Sequence, residues 1–354
     1  MGTLFSPTDH DFERFPTTRY QGSKRRSAVW IVEQLSDLDY RTVLDAFGGT
    51  GSVAYAFKCA GKAVTYNDAL KFNHQIGTAL IENGRVRLSA SSIEGLLVRQ
   101  PGVCYGDFVQ RTFPGIYFTD EENAQLDVAV GNIAVLDSVY ERALAWFGLL
   151  QAATAKRPYN LFHRANLYMR LADVKRGFGN KASWDRPFNE HVEAFCMQAN
   201  RAVFDNGEPC RSVCADAREV GGRYDLVYLD PPYVSRTGTG VDYRAFYHFL
   251  EGLVQYEHWS GLIDLTSKHR ELRSEPSGWA DRRRVGACLR EVLDRYRESI
   301  LVVSYRDDGI PTIAELEADL HQFKRRVRVA REGPSAYALS KQATSREVLL
   351  IGTD

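Results

Sequence analysis

The chain has 354 residues, 44% hydrophobic and 25% charged, and its 45 basic and 45 acidic side chains give a formal net charge of zero. That composition suits a soluble globular protein built as one large domain with an insertion or a small second domain. It excludes a membrane span, because no apolar run approaches the ~20 residues required, and a simple basic coat for nucleic acid, because the charges balance.

The segment Met1 to Arg26 is polar and lacks the apolar core of a signal peptide, so a cytoplasmic protein is expected. Six cysteines (59, 104, 196, 210, 214, 288) are scattered without a second Cys or His pair of zinc spacing. They read as reduced thiols, and no metal is expected.

Arg41 to Phe47 reads as a buried strand, Gly48-Gly49-Thr50-Gly51-Ser52 as a tight loop, and Val53 to Ala60 as a short helix stopped by Gly61. Ala63 to Tyr66 is a second strand, ending at Asn67-Asp68. From about Lys71 the pattern turns helical. Thr119-Asp120-Glu121-Glu122 is a capping box opening one helix, a second should run from Ala134 to about Ala153, and a third from Asn189 to Phe204.

Strand signals return at Arg211 to Asp216 and at Tyr224 to Leu229, where Pro231 and Pro232 forbid continuation. Helices are expected from Ala245 and from about Asp281, a strand over Ser299 to Tyr305, and a helix over Thr312 to Phe323. Two last strands, Arg326 to Ala330 and Arg346 to Ile351, should form an antiparallel pair. Alternating strands and helices imply a doubly wound α/β domain. Residues 1–70 and 200–354 would form it, and 71–199 would be an inserted, mainly helical module.

Ligands of an open α/β sheet bind where its strands end. Four ends carry suggestive groups: the Phe47 to Gly51 loop, Asp68, Asp216 and Asp230. Glycines let a ligand approach the backbone closely, and an acid about twenty residues after such a loop can take ribose hydroxyls. The turn Asp230-Pro231-Pro232-Tyr233 presents a carboxylate, unopposed carbonyls and an aromatic ring, a set suited to a planar base with an exocyclic amine. Basic residues gather at Arg19, Lys24, Arg25 and Arg26, at Arg282 to Arg284, and at Lys324, Arg325, Arg326 and Arg328. A further group (Lys156, Arg157, Arg164, Arg170, Lys175, Arg176, Lys181, Arg186) is interleaved with Phe162, Tyr168, Phe178 and Trp184, a pattern pointing to a phosphate-binding face.

With these motifs in view, the chain resembles the Dam-like family of adenine-N6 DNA methyltransferases. Phe47-Gly48-Gly49-Thr50-Gly51 is similar to the family's cofactor loop, Asp230-Pro231-Pro232-Tyr233 to its catalytic motif, and Tyr20-Gln21-Gly22-Ser23-Lys24 to its N-terminal Trp-x-Gly-x-Lys motif. The last strand, Arg346 to Leu350, also resembles the family's, and the motif order matches.

The resemblance implies a Rossmann-like methyltransferase sheet with terminal antiparallel strands and an inserted target-recognition domain over 71–199. It implies S-adenosylmethionine as cofactor, contacted by Tyr20, Lys24, Phe47, Gly48, Gly49, Gly51, Asp68 and Asp216. Ala217 stands where the family often has an aromatic residue, leaving one cofactor contact unfilled. The expected reaction is methyl transfer to the N6 amine of an adenine flipped from double-stranded DNA. Asp230, Pro231 and Pro232 would act on the amine and Tyr233 would stack on the base, with Tyr243, Phe246 and Tyr247 either walling the pocket or burying a helix face.

Arg170, Lys175, Arg176, Lys181 and Arg186 would hold DNA. The protein would be a monomer, and a cognate restriction enzyme would be a partner that it does not bind stably. The same four-residue motif also serves RNA adenine-N6 and cytosine-N4 methylation, and a non-catalytic DNA-binding relative is the alternative of another class.

Overall fold

The computed structural model describes residues 12–174, 181–235, 241–275, 277–333 and 346–354. Its frame is a seven-stranded sheet in the order β3-β2-β1-β4-β6-β9-β8. The strands are β1 Thr42–Asp45, β2 Ala63–Asn67, β3 Arg211–Val213, β4 Leu226–Leu229, β6 Ile300–Arg306, β8 Arg326–Arg331 and β9 Glu347–Thr353. A small antiparallel pair, β5 Val234–Ser235 and β7 Gly309–Ile310, stands apart. Helices of eight or more residues are α1 Ser52–Cys59, α2 Asp120–Ala134, α3 Val139–Ala155, α4 Phe188–Ala202, α5 Val285–Arg295 and α6 Ile313–His321.

Strands β1 to β4 and β6 run parallel, and β9 enters antiparallel between β6 and β8. The expected terminal antiparallel pair is therefore β8 and β9. Parallel strands buried on both faces read as continuous apolar runs, which is why Tyr224 to Leu229 shows no alternation in sequence. Its side chains do alternate in space. Leu226 and Tyr228 join a core with Val43, Tyr66, Tyr55, Phe147 and Phe195. Val227 and Leu229 join a second core with Leu44, Leu301, Leu289, Leu293 and Leu316.

Helices α1, α3 and α4 thus cover one face of the sheet, and α5 and α6 the other. The segment 71–199 shares its apolar cluster with the sheet: Leu126, Phe147, Phe195, Val43 and Val64 belong to one core. The Tyr55 hydroxyl of α1 donates to the Ala202 carbonyl of α4 at 2.8 Å.

Caps set several boundaries. Thr119 and Glu122 form the capping box of α2, as expected. The helix expected from Ala134 begins instead at Val139, because Ser138 and Glu141 make a second capping box and separate it from α2. Thr312 and Glu315 cap α6 in the same way.

Candidate active site

The C-terminal ends of β1, β2, β3 and β4 open on a cavity of about 550 Å³. After β1 the chain turns through Phe47-Gly48-Gly49-Thr50-Gly51 into α1. A Cβ on Gly48 would lie 2.0 Å from the Tyr66 ring, so the turn packs on β2 only because the residue is glycine. Gly51 holds φ +75° at the N-terminus of α1, a conformation that glycine adopts without strain. Asp68, just after β2, ties this turn down. Its carboxylate accepts from the Gly49 N–H at 2.9 Å, the Leu70 N–H at 2.8 Å and Asn73 Nδ2 at 3.1 Å. Burial pushes its pKa up to about 6 against those three bonds.

Tyr20, Lys24, Phe47, Gly48, Gly49, Asp68, Asp216, Asp230 and Pro232 all line the cavity. Gly51 does not line it and serves the turn behind. Asp216 accepts Arg218 Nε at 2.9 Å and Nη2 at 3.0 Å. Burial would raise its pKa, but the guanidinium holds it below the ordinary carboxylate range. Trp279, a lining residue not singled out in the sequence, packs beside Asp216. Its indole Nε1 donates to Asp216 at 3.3 Å, and its ring meets Phe47 edge-on at 4.8 Å and 82°. Nothing in the sequence links Trp279 to Asp216, 63 residues earlier.

Asp45 was also missed. It closes β1 inside the cavity, is buried, and its Oδ1 has no hydrogen-bond partner among the described residues. Burial, and then Asp230, push its pKa up to about 8, so it is protonated at neutral pH.

Asp230 sits at the end of β4. Its Oδ1 accepts Lys24 Nζ at 3.0 Å and the Tyr233 hydroxyl at 2.7 Å. Burial raises its pKa to about 6, with Lys24 pulling it down and Glu347 pushing it up. Lys24 is therefore a partner of the Asp230 carboxylate as well as a wall of the cavity.

Tyr233 has contacts other than a base stack. Its ring meets Tyr305 edge-on at 5.0 Å and carries the Lys24 ammonium at 4.7 Å. Neither Tyr233 nor Pro231 is among the lining residues. The Tyr20 ring stacks on Tyr243 at 5.4 Å and on Tyr247 at 4.6 Å. Of the three aromatics after the motif, Tyr243 lines the cavity, Tyr247 is buried, and Phe246 packs against the core.

The expected DNA face needs one correction. Arg170 is 5% exposed and donates to both oxygens of Glu122, at 2.9 and 2.6 Å, so it cannot also meet a phosphate. Lys156 lies 3.2 Å from the same carboxylate. Arg157 is buried too, bonded to the carbonyls of Leu161, Tyr117 and Arg164. Tyr117 lies 4.3 Å from the Arg157 guanidinium. Of the aromatic neighbours that suggest a nucleic-acid surface in sequence, Phe162 is a wall of this buried cation cluster, 5.2 Å from the Arg157 guanidinium, Tyr168 is exposed, and Phe178 lies outside the described residues. Lys181 and Arg186 are exposed and make i,i+4 pairs with Asp185 and Glu190. Lys175 and Arg176 lie outside the described residues.

A mixed sheet of this order, with a glycine turn after β1, acids after β2 and β3, and Asp-Pro-Pro-Tyr after β4, is consistent with a methyltransferase acting on an exocyclic amine. The chain belongs to the D12 class N6 adenine-specific DNA methyltransferase family, whose description matches residues 20–262. It is thus an enzyme that methylates adenine in DNA.

It is similar to the type II methyltransferase M2.HphI of Haemophilus parahaemolyticus, 28% identical over 335 residues covering 92% of this chain and 94% of the relative. The type II methyltransferase M.NlaIII of Neisseria lactamica is 24% identical over 86% of this chain and 88% of its own length. The modification methylase StsI of Streptococcus sanguinis is 24% identical over 86% of this chain, which corresponds to 46% of that protein.

Arg170→Ala should leave Glu122 half-paired in the core and lower unfolding free energy by about 3 kcal/mol at pH 7. Arg170 and Lys156 hold Glu122 below the ordinary carboxylate range in spite of burial. A depressed folded-state pKa stabilises above the unfolded-state value and is lost as pH falls through the folded one. The deficit of Arg170→Ala should therefore shrink in acid. Urea unfolding across pH measures this, and the salt dependence of DNA binding should not change.

Proposed function

We propose that the cavity takes S-adenosylmethionine and that Asp230 acts on the N6 amine of an adenine brought to the mouth of β4. The observation that carries this reading is the convergence of the glycine turn, Asp68, Asp216 and Asp230 on one cavity. The donor set suits the cofactor. Asp68 addresses ribose hydroxyls, Phe47 and Trp279 make an aromatic corner for the adenine, and Asp216 faces that adenine's polar edge. The Asp45 oxygen without a partner suits a cationic or N–H donor on the ligand. When bound, the cofactor supplies an electrophilic methyl group on a sulfonium.

Hydrogen bonds from the adenine amine to Asp230 and to a carbonyl of the Pro231–Pro232 segment draw the nitrogen lone pair out of the ring. Neither proline has an N–H that would repel the amine. The Asp230 carboxylate also faces the positive charge that builds on nitrogen, and it is the nearest base for the proton released. Catalysis is then positioning and fixed electrostatics. An adenine stacked in a duplex cannot reach a carboxylate at this depth, so the base is extruded.

Lys181 and Arg186 are the described members of the proposed DNA track, since surface ion pairs are weak enough to exchange for phosphate. Residues 71–199 carry target recognition in this reading. A restriction nuclease whose site the enzyme protects completes this reading, which the names of the relatives, type II methyltransferase and modification methylase, support.

Asp230→Ala and Asp230→Asn should each slow single-turnover methyl transfer to duplex DNA on the order of 100- to 1,000-fold, with gel-shift DNA binding retained. In the unmodified enzyme the rate should fall as pH drops through about 6, where Asp230 takes up a proton. Near-normal transfer by Asp230→Ala would remove it from the chemistry.

Trp279→Ala should weaken S-adenosylhomocysteine binding about tenfold in calorimetry, and Trp279→Phe should recover most of it. Unchanged affinity in folded Trp279→Ala would place the cofactor elsewhere.

Replacing Lys181 and Arg186 by Gln should lower the slope of log affinity against log salt by about two. An unchanged slope would mean that both are only a solvated face.

A further inference from the structure

Glu347 opens β9 opposite Arg306 and is 0% exposed, a cost that its strand neighbours Val348, Leu349 and Leu350 do not incur. It lies beyond the stretch 20–262 that the family description covers. Its Oε1 accepts from Ser304 Oγ on β6 and from the Tyr233 hydroxyl at 3.3 Å, and lies 3.3 Å from Lys24 Nζ. Lys24 and Tyr233 are the same two groups that bind Asp230 Oδ1. Two carboxylates thus share one ammonium and one phenol.

We propose that Glu347 is a positioning residue for methyl transfer, anchoring Lys24 and Tyr233 on one oxygen of Asp230 so that the carboxylate's other oxygen addresses the target amine. This rests on Asp230 being the group that acts on that amine. Buried carboxylates that share partners also repel, so Glu347 sets the pH at which Asp230 ionises. The groups facing Asp230 are Lys24 from the N-terminal segment, Asp45 from β1, Tyr228 from β4, Tyr233 from the turn, Tyr243 from the following helix, Tyr305 from β6 and Glu347 from β9. Burial keeps Tyr228, Tyr243 and Tyr305 neutral at the pH of interest and raises the pKa of Asp45 to about 8. Lys24 and Glu347 are therefore the charges that tune Asp230.

The test is the pH profile of single-turnover transfer to duplex DNA. Glu347→Gln keeps an acceptor for Ser304 and Tyr233 but removes the charge. Its acid limb should move down by about one pH unit, alongside a loss of rate on the plateau as Lys24 is held less firmly. Glu347→Asp, which draws the carboxylate back by one methylene, should move the limb the same way but less, and carries the test if Glu347→Gln fails to fold. A limb at the wild-type position in either folded variant overturns the proposal and leaves Glu347 a structural anchor, whatever the plateau rate. An unmodified enzyme with transfer but no acid limb near pH 6 would instead strike the reading of Asp230 on which the proposal rests.

Discussion

The active site depends on the parallel pairing of β1 with β2 on one side and β4 on the other. Asp45 is in register with both Tyr66 and Tyr228, so three strands end at one level. Because they run parallel, every chain reversal that follows them falls on the same edge. The glycine turn, Asp68 and Asp230 meet there although they come from distant parts of the chain. A shift of one residue in either pairing would exchange the two faces of a strand and lift its terminal carboxylate out of the cavity.

Within that frame the site is a collection of carboxylates in a poorly solvated space. Each is handled differently. Asp68 is satisfied by backbone N–H groups and an amide, Asp216 by a guanidinium, and Asp45 by keeping its proton. Asp230 shares its cation with a second buried acid, Glu347, and burial leaves it close to the point of taking up a proton. The same low dielectric that makes these groups costly to bury strengthens their effect on a charge developing at the substrate.

Much of this was legible because strand ends are punctuated. Gly48-Gly49-Thr50-Gly51, Asn67-Asp68 and Asp230-Pro231-Pro232 interrupt apolar runs, and a backbone that cannot continue a strand must turn at its end. What was not legible depends on tertiary packing. Arg157 and Arg170, read beside Phe162 and Tyr168, have the composition of a nucleic-acid surface. A buried guanidinium packed on Tyr117 and bonded to carbonyls has that same composition, and only burial separates the two. Trp279 carries no motif, and the strand that holds Glu347 resembles the family's last one without marking the residues Glu347 meets. Trp279 reaches Asp216 across the turn before α5, and Glu347 reaches Lys24 through the insertion of β9 between two strands. The helical stretch 71–199 was legible as helices but not as part of the sheet's own core, because shared burial leaves no mark at a domain boundary.

Lys24 and Asp230 are 206 residues apart in the chain, and Glu347 comes later still. On the ribosome, the glycine turn and the Asp-Pro-Pro-Tyr turn are made long before β9, and β8 has no neighbour in the sheet until β9 arrives beside it. Contacts of such long range form late in folding. A nascent chain therefore carries the glycine turn and the Asp-Pro-Pro-Tyr turn while Asp230 still lacks the strand whose Glu347 pairs with Lys24. With Glu347 acting as proposed, methyl transfer at full rate waits on the synthesis and docking of β9.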